Sequence, residues 1–122
     1  ARLSTEQQYL NALDFTARRS EQFLHDEGLL VLYKPKHASN ATFVEELSHS
    51  LERMSSSFEG LVAFAFMNCK DGAVVALCAG AGVSGSPVLR LHHNGDVDDF
   101  DQLEPTKIST MWAFKFLLPH MY

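Results

Sequence analysis

Apolar residues in the first half of the chain recur at helical spacing in three stretches. Residues 4–13 predict one helix, because their apolar side chains share a face. Thr16 opens a second, short helix that ends at Gly28, since glycine tolerates the positive φ common at helix ends. A third helix begins at a cap provided by Asn40 or Thr42. Its apolar positions are Phe43, Val44, Leu47, Leu51 and Met54.

Strand patterns alternate with these helices. Residues 29–33 and 61–67 are uninterrupted apolar runs of strand length, which predict strands buried on both faces. Residues 88–92 alternate between apolar and polar positions, and the Asn-Gly pair that follows is a strong signal for a two-residue hairpin turn. Residues 97–100 are therefore predicted to return as the partner strand.

The order of elements predicts an α/β sandwich. Residues 73–79 are weakly helical, and residues 108–118 predict a closing helix that stops before a proline. Parallel strands joined by a helix, then an antiparallel hairpin, then a helix predict a central mixed β-sheet flanked by helices. The 122 residues fit a single domain, 1–122, with residues 1–12 as an N-terminal helical extension and 13–118 as the core.

Charge and hydropathy exclude two classes of partner. The formal net charge of -5 argues against nucleic acid, because binding to a phosphate backbone requires a basic face. A membrane-spanning helix needs about 20 consecutive apolar residues. The longest apolar runs here have the length of strands, so no membrane insertion is predicted.

Two segments resemble the thioredoxin family, and in particular the protein disulfide isomerase branch. Residues 82–95 are similar to the family pattern of Gly-Val, a short spacer, a cis-proline (here Pro87), a strand and an Asn-Gly turn. Residues 30–35 are similar to the strand that delivers the active site. The resemblance covers residues 13–118 and implies a thioredoxin-like fold with a cis peptide bond before Pro87.

The resemblance also implies that the catalytic chemistry is missing. In the family, a Cys-x-x-Cys pair follows this strand at the start of a helix. Here His37 replaces the nucleophilic cysteine and Asn40 the resolving one, and neither side chain can form the thiolate that disulfide exchange requires. Val31 replaces a buried glutamate that assists catalysis, and no arginine precedes the last helix. We therefore expect no enzymatic activity from this degenerate loop, which comprises Lys36, His37, Ala38, Ser39 and Asn40.

Pro87 remains, and with it a possible role in binding. In the family, the residue before this proline offers backbone groups to an extended peptide, so Ser86 and Pro87 are the candidate peptide-binding residues. The competing interpretation is that the proline only shapes the turn into the strand. The resemblance implies a redox-inactive binding or scaffolding module whose partner is a polypeptide, a neighbouring domain or a subunit. An accessory domain of a larger thiol-disulfide oxidoreductase and a cytosolic or cytoskeletal scaffold remain alternatives.

The two cysteines, Cys69 and Cys78, are compatible with a bridge or with two buried thiols. Secretory relatives of disulfide isomerases, including quiescin sulfhydryl oxidases, have a bridged pair at similar places, so the resemblance implies a structural disulfide. A disulfide points to an oxidising compartment, here the secretory pathway and the lumen of the endoplasmic reticulum. Two free thiols would instead indicate the cytoplasm.

The histidines and acidic residues predict no metal site and no cofactor. His92 and His93 are neighbours in a strand and point to opposite faces, and no His-x-x-x-His pair occurs. The acidic cluster after the hairpin turn is predicted to be a solvated strand edge, with weak calcium binding or a basic partner as the alternative. Its members are Asp96, Asp98, Asp99, Asp101 and Glu104.

Overall fold

The computed structural model describes residues 2–23, 28–58 and 62–104. The helices are α1 (Glu6–Phe23), α2 (Ala41–Ser55) and α3 (Val75–Gly80), the last preceded by a 3-10 turn (Gly72–Val74). The strands are β1 (Arg2–Leu3), β2 (Gly28–Lys34), β3 (Val62–Asn68), β4 (Val88–His92) and β5 (Phe100–Leu103). The closing helix predicted over residues 108–118 lies outside the described residues.

The five strands form one mixed sheet in the order β1-β3-β2-β4-β5. β1, β3 and β2 run parallel, and β4 is antiparallel to both β2 and β5. At the centre, Val31 of β2 pairs with Ala65 on one side and with Arg90 on the other. The predicted α/β class with a central mixed sheet is therefore confirmed.

The sheet is covered on both faces. On one face, apolar residues of α2 pack against Leu30 and Leu32 of β2. On the other face, residues of α1 and α3 pack against Leu29, Val31 and Tyr33. Burial on both sides explains why β2 is an uninterrupted apolar run, as the sequence predicted.

The two helices predicted before β2 form one continuous helix, α1, so that prediction was wrong. Thr16 does not cap a new helix. It is fully buried, and its Oγ1 donates to the Leu13 carbonyl at 2.9 Å, which satisfies the hydroxyl inside the helix. The boundary predicted between residues 12 and 13 consequently falls within α1. Arg2 and Leu3 pair with β3 and belong to the sheet.

The strand predicted over residues 97–100 was also misplaced, because β5 begins only at Phe100. The Asn-Gly turn itself forms: Asn94 and Gly95 have φ of 55° and 68°, and the Asp96 N–H donates to the His93 carbonyl at 3.0 Å. The chain then leaves the ladder, because the Asp96 carboxylate accepts from the Asp98 N–H at 2.9 Å. This local bond replaces the strand pairing expected directly after the turn.

Candidate functional site

The degenerate loop lies between the end of β2 and the start of α2. Asn40 is the N-cap of α2, and its Oδ1 accepts from the Phe43 N–H at 3.1 Å. The prediction of a cap at this position is confirmed. His37 and Ser39 are exposed, and α2 begins only at Ala41, so the whole loop precedes the first helical turn.

This loop contacts the segment before Pro87. The Ser39 N–H donates to the Gly85 carbonyl at 2.8 Å. A side chain at Gly85 would collide with the Ser39 hydroxyl, so the absence of a Cβ permits this close approach. The structure thus joins residues 36–40 and residues 84–87 into one surface, which we name the two-loop site.

Within the two-loop site, Ser86 is exposed and Pro87 is buried. The described backbone contains no cis peptide bond, so the cis-proline expected at Pro87 was wrong. The trans form is favoured for most X-Pro bonds by about 0.5–1 kcal/mol. The chain reaches β4 through bends at Ser84–Ser86, after a positive φ of 76° at Gly82. Turning the chain here therefore does not require a cis bond.

Cys69 and Cys78 form a disulfide, which confirms the predicted pairing. Both residues are only 5% exposed. The Cys69 N–H donates to the Lys34 carbonyl at 3.0 Å, and the Cys78 carbonyl accepts from the Val83 N–H at 3.1 Å. The disulfide therefore links the backbone next to one loop of the site, at Lys34, with the backbone next to the other loop, at Val83.

A buried polar cluster on the α1 face of the sheet was not predicted from the sequence. His92 is fully buried, with its Nδ1 3.2 Å from the Asp96 carbonyl and its Nε2 3.3 Å from the Tyr9 hydroxyl. A carbonyl oxygen only accepts, so Nδ1 carries the proton and the Tyr9 hydroxyl donates to Nε2. Burial lowers the pKa of His92 below its usual value, which keeps the ring neutral near neutral pH.

The cluster continues through the tyrosines to Arg90. Burial raises the pKa of Tyr9, and the neighbouring Tyr33 adds to this rise. Burial also raises the pKa of Tyr33, against hydrogen bonding with Tyr9 and the positive charge of Arg90. The Arg90 Cζ lies 4.1 Å from the centroid of the Phe100 ring and 6.0 Å from that of Tyr33.

One sequence signal for this cluster was available. Arg90 and His92 stand two positions apart in an otherwise apolar strand, so their side chains share one face of the sheet. The partners come from α1, β2 and β5, and the alternation within β4 does not identify them.

His93 lies directly after β4, outside the predicted strand position, and contacts a different residue from His92. His93 Nε2 lies 2.9 Å from Asp101 Oδ2, whereas His92 contacts Tyr9 and Asp96. Among the described residues, no group of three or more His, Cys, Asp or Glu side chains is arranged to bind a metal ion. Asp98 and Asp99 are exposed, in agreement with a solvated edge.

No protein-family model matches the sequence, and no curated protein matches it. Within residues 2–23, 28–58 and 62–104, no helix combines the length and the apolar character needed to cross a membrane.

Proposed function

We propose that this chain is a redox-inactive thioredoxin-like domain, similar to the non-catalytic domains of protein disulfide isomerases, that binds an extended polypeptide at the two-loop site. The observation that carries this proposal is the hydrogen bond from the Ser39 N–H to the Gly85 carbonyl, 2.8 Å long. It joins the loop in which both expected cysteines are replaced to the loop that leads to Pro87.

The sheet supports the thioredoxin-like assignment. β2 and β3 are parallel and joined by α2, and β4 and β5 follow as an antiparallel pair. This is the order that the sequence resemblance implies. Because one fold can host many functions, the binding role depends on the two-loop site and not on the sheet alone.

The proposal of redox inactivity depends on the absence of an available thiolate. His37 and Asn40 cannot attack a disulfide, since exchange requires a sulfur nucleophile. The chain has two cysteines, and both are consumed in a disulfide whose residues are 5% exposed. A nucleophile for exchange is therefore missing from the two-loop site.

Peptide binding is supported by the exposed backbone next to Pro87. Ser86 is exposed and makes no hydrogen bond within the described part of the chain. An extended segment lying beside Ser86 would pair with its N–H and C=O groups, as in strand addition to a sheet edge. The exposed side chains of Lys36 and His37 border the same site and would add polar contacts.

The disulfide also supports a location. Structural disulfides persist in oxidising compartments and are rare in the cytosol. We therefore place the domain in the secretory pathway, with the lumen of the endoplasmic reticulum as the specific proposal. The cytoplasmic alternative was based on two free thiols, whereas Cys69 and Cys78 are joined in the disulfide.

Amide chemical shifts of the full chain, titrated with a reduced and carboxymethylated unfolded protein, test the binding role. We expect saturable shifts confined to residues 36–40 and 84–87. Ser86→Glu should weaken binding, whereas Ser57→Glu, at an exposed serine after α2, should not. Shifts elsewhere, or equal affinity of both variants, would refute peptide binding at this site. Thiol-dependent reduction of insulin by the wild-type chain would refute redox inactivity.

A further inference from the structure

The sequence contains a triplet that is typical of N-linked glycosylation. Residues 40–42 are Asn40, Ala41 and Thr42, which match the pattern asparagine, any residue except proline, then serine or threonine. In proteins of the secretory pathway this pattern is the acceptor for N-linked glycans. Elsewhere in the chain, the residue two positions after each asparagine is neither serine nor threonine. These other asparagines are Asn11, Asn68 and Asn94.

The structure places the whole triplet at the surface. Asn40, Ala41 and Thr42 are all exposed. Asn40 lies before the first turn of α2 and has an extended backbone, with φ of -136° and ψ of 90°. A glycan is bulky and hydrophilic, so an acceptor asparagine has to lie at the surface of the folded protein. The fold meets this requirement at Asn40.

The side-chain nitrogen of Asn40 is not used by the fold. The Oδ1 of Asn40 caps α2 by accepting from the Phe43 N–H at 3.1 Å. The Nδ2 makes no hydrogen bond within residues 2–23, 28–58 and 62–104. A glycan is attached through Nδ2 and leaves Oδ1 in place, so the capping bond can also form in the modified chain. Modification therefore does not require the start of α2 to change.

The disulfide and the triplet point to the same compartment. The bridge between Cys69 and Cys78 is the reason for the secretory location proposed above. N-linked glycans are typical of proteins in that pathway. The inference from the triplet thus rests on the proposed location, and it does not rest on peptide binding.

We propose that Asn40 is an N-glycosylation site whose co-substrate is a lipid-diphosphate-linked oligosaccharide. In the transfer, Nδ2 forms a bond to the anomeric carbon of the first sugar, and the bond from that carbon to a diphosphate oxygen breaks. The lipid diphosphate leaves with the electron pair of the broken bond, and Nδ2 releases one proton to solvent. Because Asn40 is the last residue of the degenerate loop, the glycan borders the two-loop site.

Translation of the full chain in the presence of microsomes from endoplasmic reticulum tests the acceptor by itself. An added signal peptide directs the chain into the lumen, so this test does not depend on where the protein naturally resides. We expect one additional band of lower mobility, which peptide N-glycosidase removes. Digestion in water labelled with heavy oxygen should label position 40, as measured by mass spectrometry. A chain that enters the lumen without gaining the band, or a label at another asparagine, would overturn the proposal.

Variants separate recognition of the triplet from the stability of α2. Thr42→Ala removes the hydroxyl at the third position and keeps the Asn40 cap, so this chain should fold and lose the glycan. Thr42→Ser restores a hydroxyl and should keep it. Asn11→Gln changes an exposed asparagine of α1 outside the triplet and should also keep the glycan. A glycan on Thr42→Ala, or its loss from Asn11→Gln, would contradict the assignment to Asn40.

The protein isolated from its own source shows whether the site is used. We expect Asn40 of that protein to carry the glycan, and its absence would overturn the proposal. The microsome result then identifies which part failed. Modification in microsomes alone refutes the secretory location, whereas no modification in either sample refutes the acceptor. Peptide binding at the two-loop site is decided by its own titration in both cases.

Discussion

The protonation of His92 links the stability of the fold to pH. The ring is fully buried, and both its nitrogens are engaged, one toward Asp96 and one toward Tyr9. A second ring proton would displace the donated hydrogen bond of Tyr9 and place a charge in an apolar environment next to Arg90. Burial is accordingly the main reason for the lowered pKa of His92.

We expect the free energy of unfolding to fall as the pH drops below about 6.5, the ordinary histidine pKa. In that range the unfolded chain binds a proton that folded His92 does not, so stability decreases toward acid by up to about 1.4 kcal/mol per pH unit. The loss ends at the lowered pKa of the folded state. Urea unfolding across this pH range measures the effect.

His92→Gln should flatten this pH dependence, since glutamine does not titrate. The control His49→Gln removes an exposed histidine of α2, whose side chain is 65% exposed, and should leave the pH dependence unchanged. Parallel curves for the wild type and His92→Gln would show that another group controls acid stability.

At the scale of elements, the sequence predicts a strand accurately where the residues directly before and after it mark both of its ends. β4 begins and ends at the predicted residues, because Pro87 precedes it and the Asn-Gly turn follows it. β5 was misplaced because the bond from the Asp98 N–H to Asp96 competes with strand pairing. α1 was divided because a buried threonine is indistinguishable from a cap until its hydroxyl partner is known. In both segments the observed backbone is accompanied by a side-chain hydrogen bond that the hydrophobic pattern does not reveal.

The disulfide is an element-scale constraint on the segment between β3 and the end of α3. The two cysteines are separated by 9 positions in the sequence. Because the bridge restricts the unfolded chain, the double variant Cys69→Ala/Cys78→Ala should lower the free energy of unfolding by about 2.5–3 kcal/mol. Amide exchange should also accelerate at position 69, which is alanine in this variant, and at Val83, because both N–H groups form hydrogen bonds next to the bridge. Urea unfolding and hydrogen exchange test both effects.

Val75→Ala is the matched control for this loop. Val75 lies on α3 inside the closed loop but is 50% exposed, so its truncation should change stability by less than about 0.5 kcal/mol. Equal stability of the double variant and the wild type would show that the bridge constrains the unfolded chain far less than its loop length implies.

At the scale of the whole molecule, the candidate sites differ in how far the sequence could reveal them. Both loops of the two-loop site were named from the sequence because their residues resemble thioredoxin-family patterns, and the bond from Ser39 to Gly85 that joins them is visible only in the structure. The buried polar cluster on the α1 face of the sheet could not be predicted. Its members Tyr9, Tyr33 and Phe100 come from three elements, and only the packing of these elements brings them together. The peptide bond at Pro87 was misjudged because the bends before it already turn the chain.

The thioredoxin-like geometry that we propose for the two-loop site can be tested by introducing the two cysteines that the family carries. In the double variant His37→Cys/Asn40→Cys, the thiol at position 40, which is the N-cap of α2 and the place of the resolving cysteine, would face free amide groups that favour a thiolate. We expect the introduced cysteines to form a bridge and to catalyse the reduction of insulin, at a modest rate because Val31 supplies no proton relay. Loss of the Asn40 cap should cost about 1 kcal/mol of stability.

The single variant His37→Cys is the control, because one thiol can form a mixed disulfide but cannot resolve it. It should bind glutathione covalently and show no turnover. If the double variant folds, yet its introduced thiols neither pair nor show a pKa below about 8.5, the loop does not have the geometry of a thioredoxin active site. The resemblance to thioredoxins would then be limited to the sheet and would not include the two-loop site. The chemical-shift titration would be the only remaining test of peptide binding there.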